Sequence, residues 1–372
     1  MTYSSILTRE EYLLILSCSN ADLNKDALDK LVRSKLDWDF IFLSGIKHKV
    51  LFTVYFNLNK YGLLDTALNK GNLPLILLNH WKQLHYINLN RNQLILSESA
   101  KLESYFAKNN ILCCITKGGP RLIGDIYDIE ERKMYDIDFI GNKEDYYNID
   151  EILKKQGYDH KSYEFKTNEL KETDKEDIKK WLLLTRGLPN YVKHMENLSN
   201  DLFIVQLQFR FGSANDNKHI KANDLLSRIS IKNNAFFIPT EVVAIQLASH
   251  IHRETTEREF DDWNMNWNLV KFLDFQRYID KYFTTELQWN ELFKIAESIN
   301  YTNELLYSVF YTKSIFQSKN LELVYSYLDS NNSNDRYHLL SSEFALKQIS
   351  KVSKSNFKPS KKWDGFMGSR ST

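Results

Sequence analysis

The chain has 372 residues, 43% of them hydrophobic and 13% aromatic, with only five prolines and twelve glycines. That composition excludes a disordered or fibrous chain and points to a compact, helix-rich protein of two or three structural units. Forty-nine basic residues against 48 acidic ones leave no global field to gather a polyanion, so nucleic acid is not an expected partner. Three cysteines, Cys18, Cys113 and Cys114, give neither a disulfide framework nor a zinc-ligand spacing, and the adjacent pair reads as buried small hydrophobes.

In chain order, Thr8 and Glu11 form the pattern of a capping box opening a helix at "LTREEYLLILS". The apolar run there is too short, and too close to Glu10 and Glu11, for a signal peptide. No stretch reaches the length of a membrane span, so no membrane association and a cytoplasmic location are expected, and the sequons at Asn197, Asn300 and Asn331 carry no meaning. "DALDKLVRSKL", "FIFLSGIKHKVLFTVYFNLNKYG" and "LILLNHWKQLHYINLNRNQLILSESAKLESYFAKN" all place apolar residues at helical spacing. The last is long enough to leave room for a break.

The texture changes at "ILCCITKGGP", a short apolar run closed by two glycines that reads as a buried strand and a sharp turn. Pro120 suits the first turn of a helix, and "RLIGDIY" continues it briefly. A charged loop leads to the strand "MYDIDFIG", followed by the helix "YNIDEILKKQGY", stopped at Gly157. "KTNELKETDKEDIKKW" reads as a solvated helix or insert, and "DLFIVQLQFRFG" as an alternating strand from Phe203 to Phe211. From about 240 to 350 the chain is again helical.

In "MYDIDFIG" strand alternation sends Tyr135, Ile137 and Phe139 to a core face and Asp136 with Asp138 to the other. Two neighbouring carboxylates repel, and a divalent cation facing phosphates removes the penalty. An Asp-x-Asp alone is more often structural, as is a lone Lys-Gly-Gly. Together, with a strand, a glycine turn, a helix and a cation leading to the acidic strand, they are a sharper signal. Backbone amides at Gly118 and Gly119 suit a phosphate cradle, and Lys117 and Arg132 supply cations.

These residues resemble an uncharacterised bacterial nucleotidyltransferase family related to the polymerase-beta superfamily. Lys117, Gly118, Tyr127, Arg132, Asp136, Asp138, Gly157 and Tyr158 fall on its pattern in order. "IKHKVLFTVYFNL", "AIQLASHIH" and "WNLVKFLDFQRYI" are similar to its helical flanks. The resemblance implies an α+β fold, a small mixed-sheet core flanked by N- and C-terminal helical segments. It also implies transfer of a nucleotidyl or phosphoryl group from a nucleoside triphosphate, with ATP expected, to an acceptor hydroxyl. By that analogy Asp136 and Asp138 are the catalytic carboxylates and ligate Mg2+ or Mn2+. Lys117, Gly118 and Gly119 hold phosphates, and Arg132 steadies phosphate or transition-state charge. The segments expected are 1–108 helical, 109–215 core, 216–360 helical and 361–372 a tail that includes a cloning scar.

One departure stands out. The superfamily places a third carboxylate on a later strand, and the matching run here is "VQLQF", with Gln206 and Gln208 on the same face as Arg210. An amide oxygen is a poorer magnesium ligand and no general base. Three arrangements answer the loss: one metal held by two aspartates suffices, Glu196 or Asp201 reaches in, or the site binds nucleotide, or a protein partner, without turnover. The acceptor, a peptide or a small molecule, is not encoded in any motif. His250 and His252, two apart on a helix, do not share a face, and His250 is expected to pair with Glu254. Trp263 in "DDWNMNW" is expected to pack a corner.

Overall fold

The computed structural model describes residues 6–19, 24–164, 169–184, 187–195, 202–209, 225–257, 266–316, 318–330 and 342–355. Six helices lead: α1 Arg9–Cys18, α2 Lys25–Val32, α3 Trp38–Lys47, α4 Leu51–Lys60, α5 Leu63–Asn69 and α6 Leu75–Lys108. Then come β1 Cys113–Ile115, the single turn α7 Gly119–Leu122, β2 Ile137–Gly141, α8 Tyr146–Lys155, β3 Asp159–Glu164 and β4 Glu169–Glu172. These are followed by α9 Lys175–Leu184, β5 Tyr191–His194, β6 Leu202–Gln208, β7 Ser230–Lys232 and β8 Ala235–Phe237. The chain closes with α10 Thr240–Thr256, α11 Leu269–Tyr282, α12 Glu286–Ser298, α13 Thr302–Ile315, α14 Lys319–Ser330 and α15 Ser342–Lys354. The class is α+β, a mixed sheet with flanking helices.

Two compact units share this chain. One comprises Met1–Asn92, Ile123–Lys133 and Leu247–Asn356, and the other includes Gln93–Leu122 and Met134–Gln246. In the first, α1 packs on α3 and α4, while α13 packs on α11 and α15. The Thr8–Glu11 capping box is present, with both backbone-to-side-chain bonds made at 3.2 and 2.8 Å. Such a cap is worth about 1 kcal/mol to the helix end. The apolar stretch 40–62 is two helices rather than one, because Lys49 takes a left-handed φ of 59° between α3 and α4. Trp81, Phe272, Phe275, Tyr278 and Trp289 are fully buried in this unit.

Helix α6 runs 34 residues without the break its length allowed. Trp81, His85, Asn88, Asn92, Ile95, Ser99, Leu102 and Phe106 are all buried, spaced alternately four and three apart along one face. Residues 75–92 of the helix fall in the first unit and 93–108 in the second.

The second unit is built on a six-stranded sheet in the order β1-β2-β6-β5-β3-β4. β1 runs antiparallel to β2 with Ile115 opposite Phe139, and β2 runs parallel to β6 with Asp138 opposite Gln206. The remaining pairings are antiparallel. A parallel pair needs a long crossover, and here it contains α8 and the β3–β5 strands. Helix α8 stops at Gly157, whose φ of +85° lets Tyr158 N–H reach back to Leu153 O at 3.0 Å, closing a Schellman cap. All five residues of β2 are buried, so both of its faces are covered. Phe139 meets Phe106 edge to face at 5.3 Å.

Several expectations are corrected. The sheet holds more strands than the three read from the sequence, because β3, β4 and β5 are short and lack an alternating apolar signal. The charged stretch 166–181 contributes β4, paired to β3, before α9 begins. Within 216–360, β7 and β8 form a hairpin turned by Asn233 and Asn234, both at positive φ, as a type I′ turn requires. Tyr135 does not face the core but is exposed, because β2 begins two residues later, at Ile137.

Candidate active site

Thr116 and Lys117 lead from the end of β1 to the double-glycine turn, and the last strand residue, Ile115, donates its N–H to Glu103 Oε1 at 2.8 Å. Burial raises the Glu103 carboxyl above its ordinary range, and this bond with the nearby Arg121 pulls the other way. Gly118 then adopts φ +79°, and its carbonyl accepts from Arg121 and Leu122 at 3.2 Å each, winding α7. Glycine is required here on two counts. The left-handed backbone penalises any L side chain, and an added Cβ would lie 3.3 Å from Asp138 Oδ2. The turn is thus fitted directly against the second aspartate.

Asp138 is 6% exposed, and Lys117 Nζ sits 2.7 Å from its Oδ2. Asp138 Oδ1, also buried, has no hydrogen-bond partner. A buried carboxylate with one oxygen paired and the other unsatisfied is costly unless another group takes that oxygen. Thr116, one residue before Lys117, likewise buries a hydroxyl without a partner.

Asp136 lies just before β2 and is partly exposed. Its Oδ2 accepts a hydrogen bond from Gln206 Nε2 at 3.0 Å. Residues opposite one another in a ladder share a face, so Gln206 belongs to the face of Asp138, and its hydrogen bond to Asp136 brings that residue to the same place. β6 alternates as expected, with Phe203, Val205 and Leu207 buried and Gln206 and Gln208 half-buried. Lys117, Gly118, Asp136, Asp138 and Gln206 therefore meet, with Gly119 opening α7 beside them. Glu196, Asp201, Arg210 and Trp263 lie outside the described residues.

Arg132 was expected to steady phosphate or transition-state charge. It lies in the helical unit, where its guanidinium forks onto Asp274 through Nε (2.8 Å) and a terminal nitrogen (2.7 Å). Tyr127 O–H donates to the same carboxylate at 2.8 Å. Arg277 stacks over the Tyr127 ring and pairs with Glu131 at 2.6 Å. Burial pushes the Tyr127 phenol far above its usual value, so it remains a donor. A phosphate role for Arg132 would have to compete with this bidentate pair.

Sequence reasoning missed Asn92, whose side-chain amide donates to the carbonyls of Ile129 (2.6 Å) and Arg132 (2.7 Å). Asn88 donates to Glu130 O at 3.3 Å. These two asparagines hold the 129–132 segment by its backbone, and their signal was two amides on an otherwise burying helix face. The other histidine expectation holds: His250 Nε2 meets Glu254 at 2.7 Å, and Lys271 also pairs with that carboxylate.

Among the described residues no group of three or more His, Cys, Asp or Glu is arranged to hold a metal. Asp136 and Asp138, the latter with a buried and unpartnered oxygen, nevertheless offer a donor set that fits one hard divalent cation. Carboxylate oxygens suit magnesium or manganese rather than a thiol- or imidazole-seeking metal.

Residues 34–317 match a family model described as uncharacterised nucleotidyltransferase, and the chain belongs to that family. The family's name supports a transferase-type enzyme. No curated protein and no solved structure matches the chain. No helix among the described residues is long and apolar enough to cross a membrane.

Proposed function

We propose that this chain transfers a nucleotidyl group from a nucleoside triphosphate, ATP in the first instance, to an acceptor hydroxyl on a small molecule or a peptide. The supporting observation is the buried Asp138 carboxylate, with Lys117 on one oxygen, the other oxygen unpartnered and the Gly118 turn pressed against it. Asp138 and Asp136 would hold one Mg2+ or Mn2+. When bound, such an ion would supply positive charge against the negative charge that develops on the phosphates.

In the reaction the acceptor oxygen bonds to the α-phosphorus and the bond to the pyrophosphate oxygen breaks. Pyrophosphate leaves with its electron pair, and the hydroxyl proton passes to solvent. Lys117 provides the cation for phosphate oxygens, and the Gly118–Gly119 turn allows phosphate to approach the backbone closely.

ATP labelled at the α- or the γ-phosphate tests the reading. With a pool of small-molecule and protein acceptors, α-label should move to the acceptor. Movement of γ-label instead would make the chain a phosphotransferase. Absence of any transfer or hydrolysis, with Asp136→Asn/Asp138→Asn binding ATP as tightly as the parent, would sink the metal-centred site.

A second reading, a non-catalytic nucleotide binder, has one observation in its favour. Gln206 offers Asp136 its N–H donor, so that group supplies no metal ligand. Magnesium-dependent ATP binding without turnover, for any acceptor, would be its signature.

A further inference from the structure

We infer that Lys117 is an exchangeable counter-ion: it holds Asp138 until nucleotide phosphates draw the ammonium away, and then gives it up to the divalent ion. The inference rests on the nucleotide-and-metal reading above and adds an order of events to it. The Lys117 ammonium is 2.7 Å from Asp138 Oδ2, and both side chains are at least nine-tenths buried. The other oxygen, Oδ1, is buried and unpartnered. A metal arriving alone meets a carboxylate whose charge is already neutralised, and a buried ammonium beside its binding position.

Like charges in a buried site repel strongly, so the ion and the ammonium cannot both sit on this carboxylate at no cost. A nucleotide resolves the conflict, because its phosphates give the ammonium a second anion within reach of a flexible four-carbon stem. The Gly118 turn lies beside the same carboxylate, since a Cβ there would stand 3.3 Å from Oδ2, so a phosphate approaching this turn comes close to the ammonium. Metal and nucleotide should therefore bind with positive linkage, and linkage is reciprocal for binding free energies.

Mn2+ binding, read from the loss of the free-ion electron paramagnetic resonance signal, tests this without any turnover. It is measured with and without a non-hydrolysable ATP analogue, on the parent protein, Lys117→Met and Lys117→Met/Asp138→Asn. Lys117→Met should bind Mn2+ alone about tenfold more tightly than the parent, within the 5–150-fold span usual for linked sites. The double variant should lose that gain. The analogue should tighten Mn2+ in the parent and do so much less in Lys117→Met. If circular dichroism shows Lys117→Met unfolded, Lys117→Gln, which keeps a donor for Asp138, carries the same comparison.

The counter-ion role is overturned if the parent binds Mn2+ and the analogue together while Lys117→Met binds Mn2+ alone no more tightly than the parent does. In that case the nucleotide reading survives. If neither protein binds Mn2+ under any condition, both the role and the reading fall.

Discussion

Gln206 Nε2 donates to Asp136 Oδ2 at 3.0 Å from a position directly opposite Asp138 on the neighbouring parallel strand. One side chain thus spans both acidic residues, as a donor to the first and a ladder partner to the second. Replacing it by Glu turns an attractive contact into two carboxylates at hydrogen-bonding distance. Without metal, Gln206→Glu should lose about 1–2 kcal/mol of stability, the scale of one pKa unit of repulsion or slightly more. Added Mn2+ should restore that loss, giving the variant a larger metal-induced rise in Tm than the parent. Equal rises in both proteins would show that Gln206 lies outside the reach of any bound ion.

Gly118 and Gly62 separate backbone cost from site cost. Both have positive φ, +79° and +67°, but a Cβ at Gly62 meets nothing within 4 Å while one at Gly118 meets Asp138. Ala at either position should cost about 1–2 kcal/mol in urea unfolding. Only Gly118→Ala should also weaken binding of an ATP analogue with Mn2+ in calorimetry. Similar affinities in the two variants would remove the glycine turn from the site.

Arg132 and Asp274 form a buried pair whose side chains are 12% and 7% exposed. Arg132→Ala takes the guanidinium fork from the buried Asp274 carboxylate, which keeps the Tyr127 donor, and should cost about 3–5 kcal/mol. Adding Asp274→Ala should recover part of that loss, a non-additivity that chemical denaturation reads directly. Additive losses would mean that the two side chains do not depend on each other.

How legible was this arrangement in the sequence? The acidic pair, the Lys-Gly-Gly turn and the Gly157 helix stop are local patterns, because each depends on backbone geometry set within a few residues. So is the alternation of β6, where Phe203, Val205 and Leu207 are buried and Gln206 is half-buried. The partners of Arg132 were hidden for the opposite reason. Asp274 lies 142 residues away, and the carbonyls held by Asn92 carry no side-chain signature at all. Strand β5, "YVKH", failed as a signal because four residues with two polar ends show no clear period. The exposed Tyr135 misled because alternation was continued past the true start of β2.

His48 gives the protein an acid-sensitive stability that can be assigned to one ring. It caps α3 with no exposure, its Nε2 lies 2.9 Å from Ser353 Oγ, and Nδ1 is buried without a partner. Burial, with some help from the neighbouring Lys47 charge, pushes the imidazole pKa down to about 3. In the unfolded chain the same ring titrates near 6.5, so between these values the unfolded state binds the extra proton. Its contribution is complete above pH 6.5 and is lost progressively as pH falls toward about 3. At pH 5 the loss should be about 2 kcal/mol, from 1.36 kcal/mol per pH unit over 1.5 units. Urea unfolding of the parent and His48→Gln at pH 7 and pH 5 measures it. The stability gap between them should shift by that amount in favour of the variant at the lower pH, and a gap that stays constant would assign the acid sensitivity to other groups.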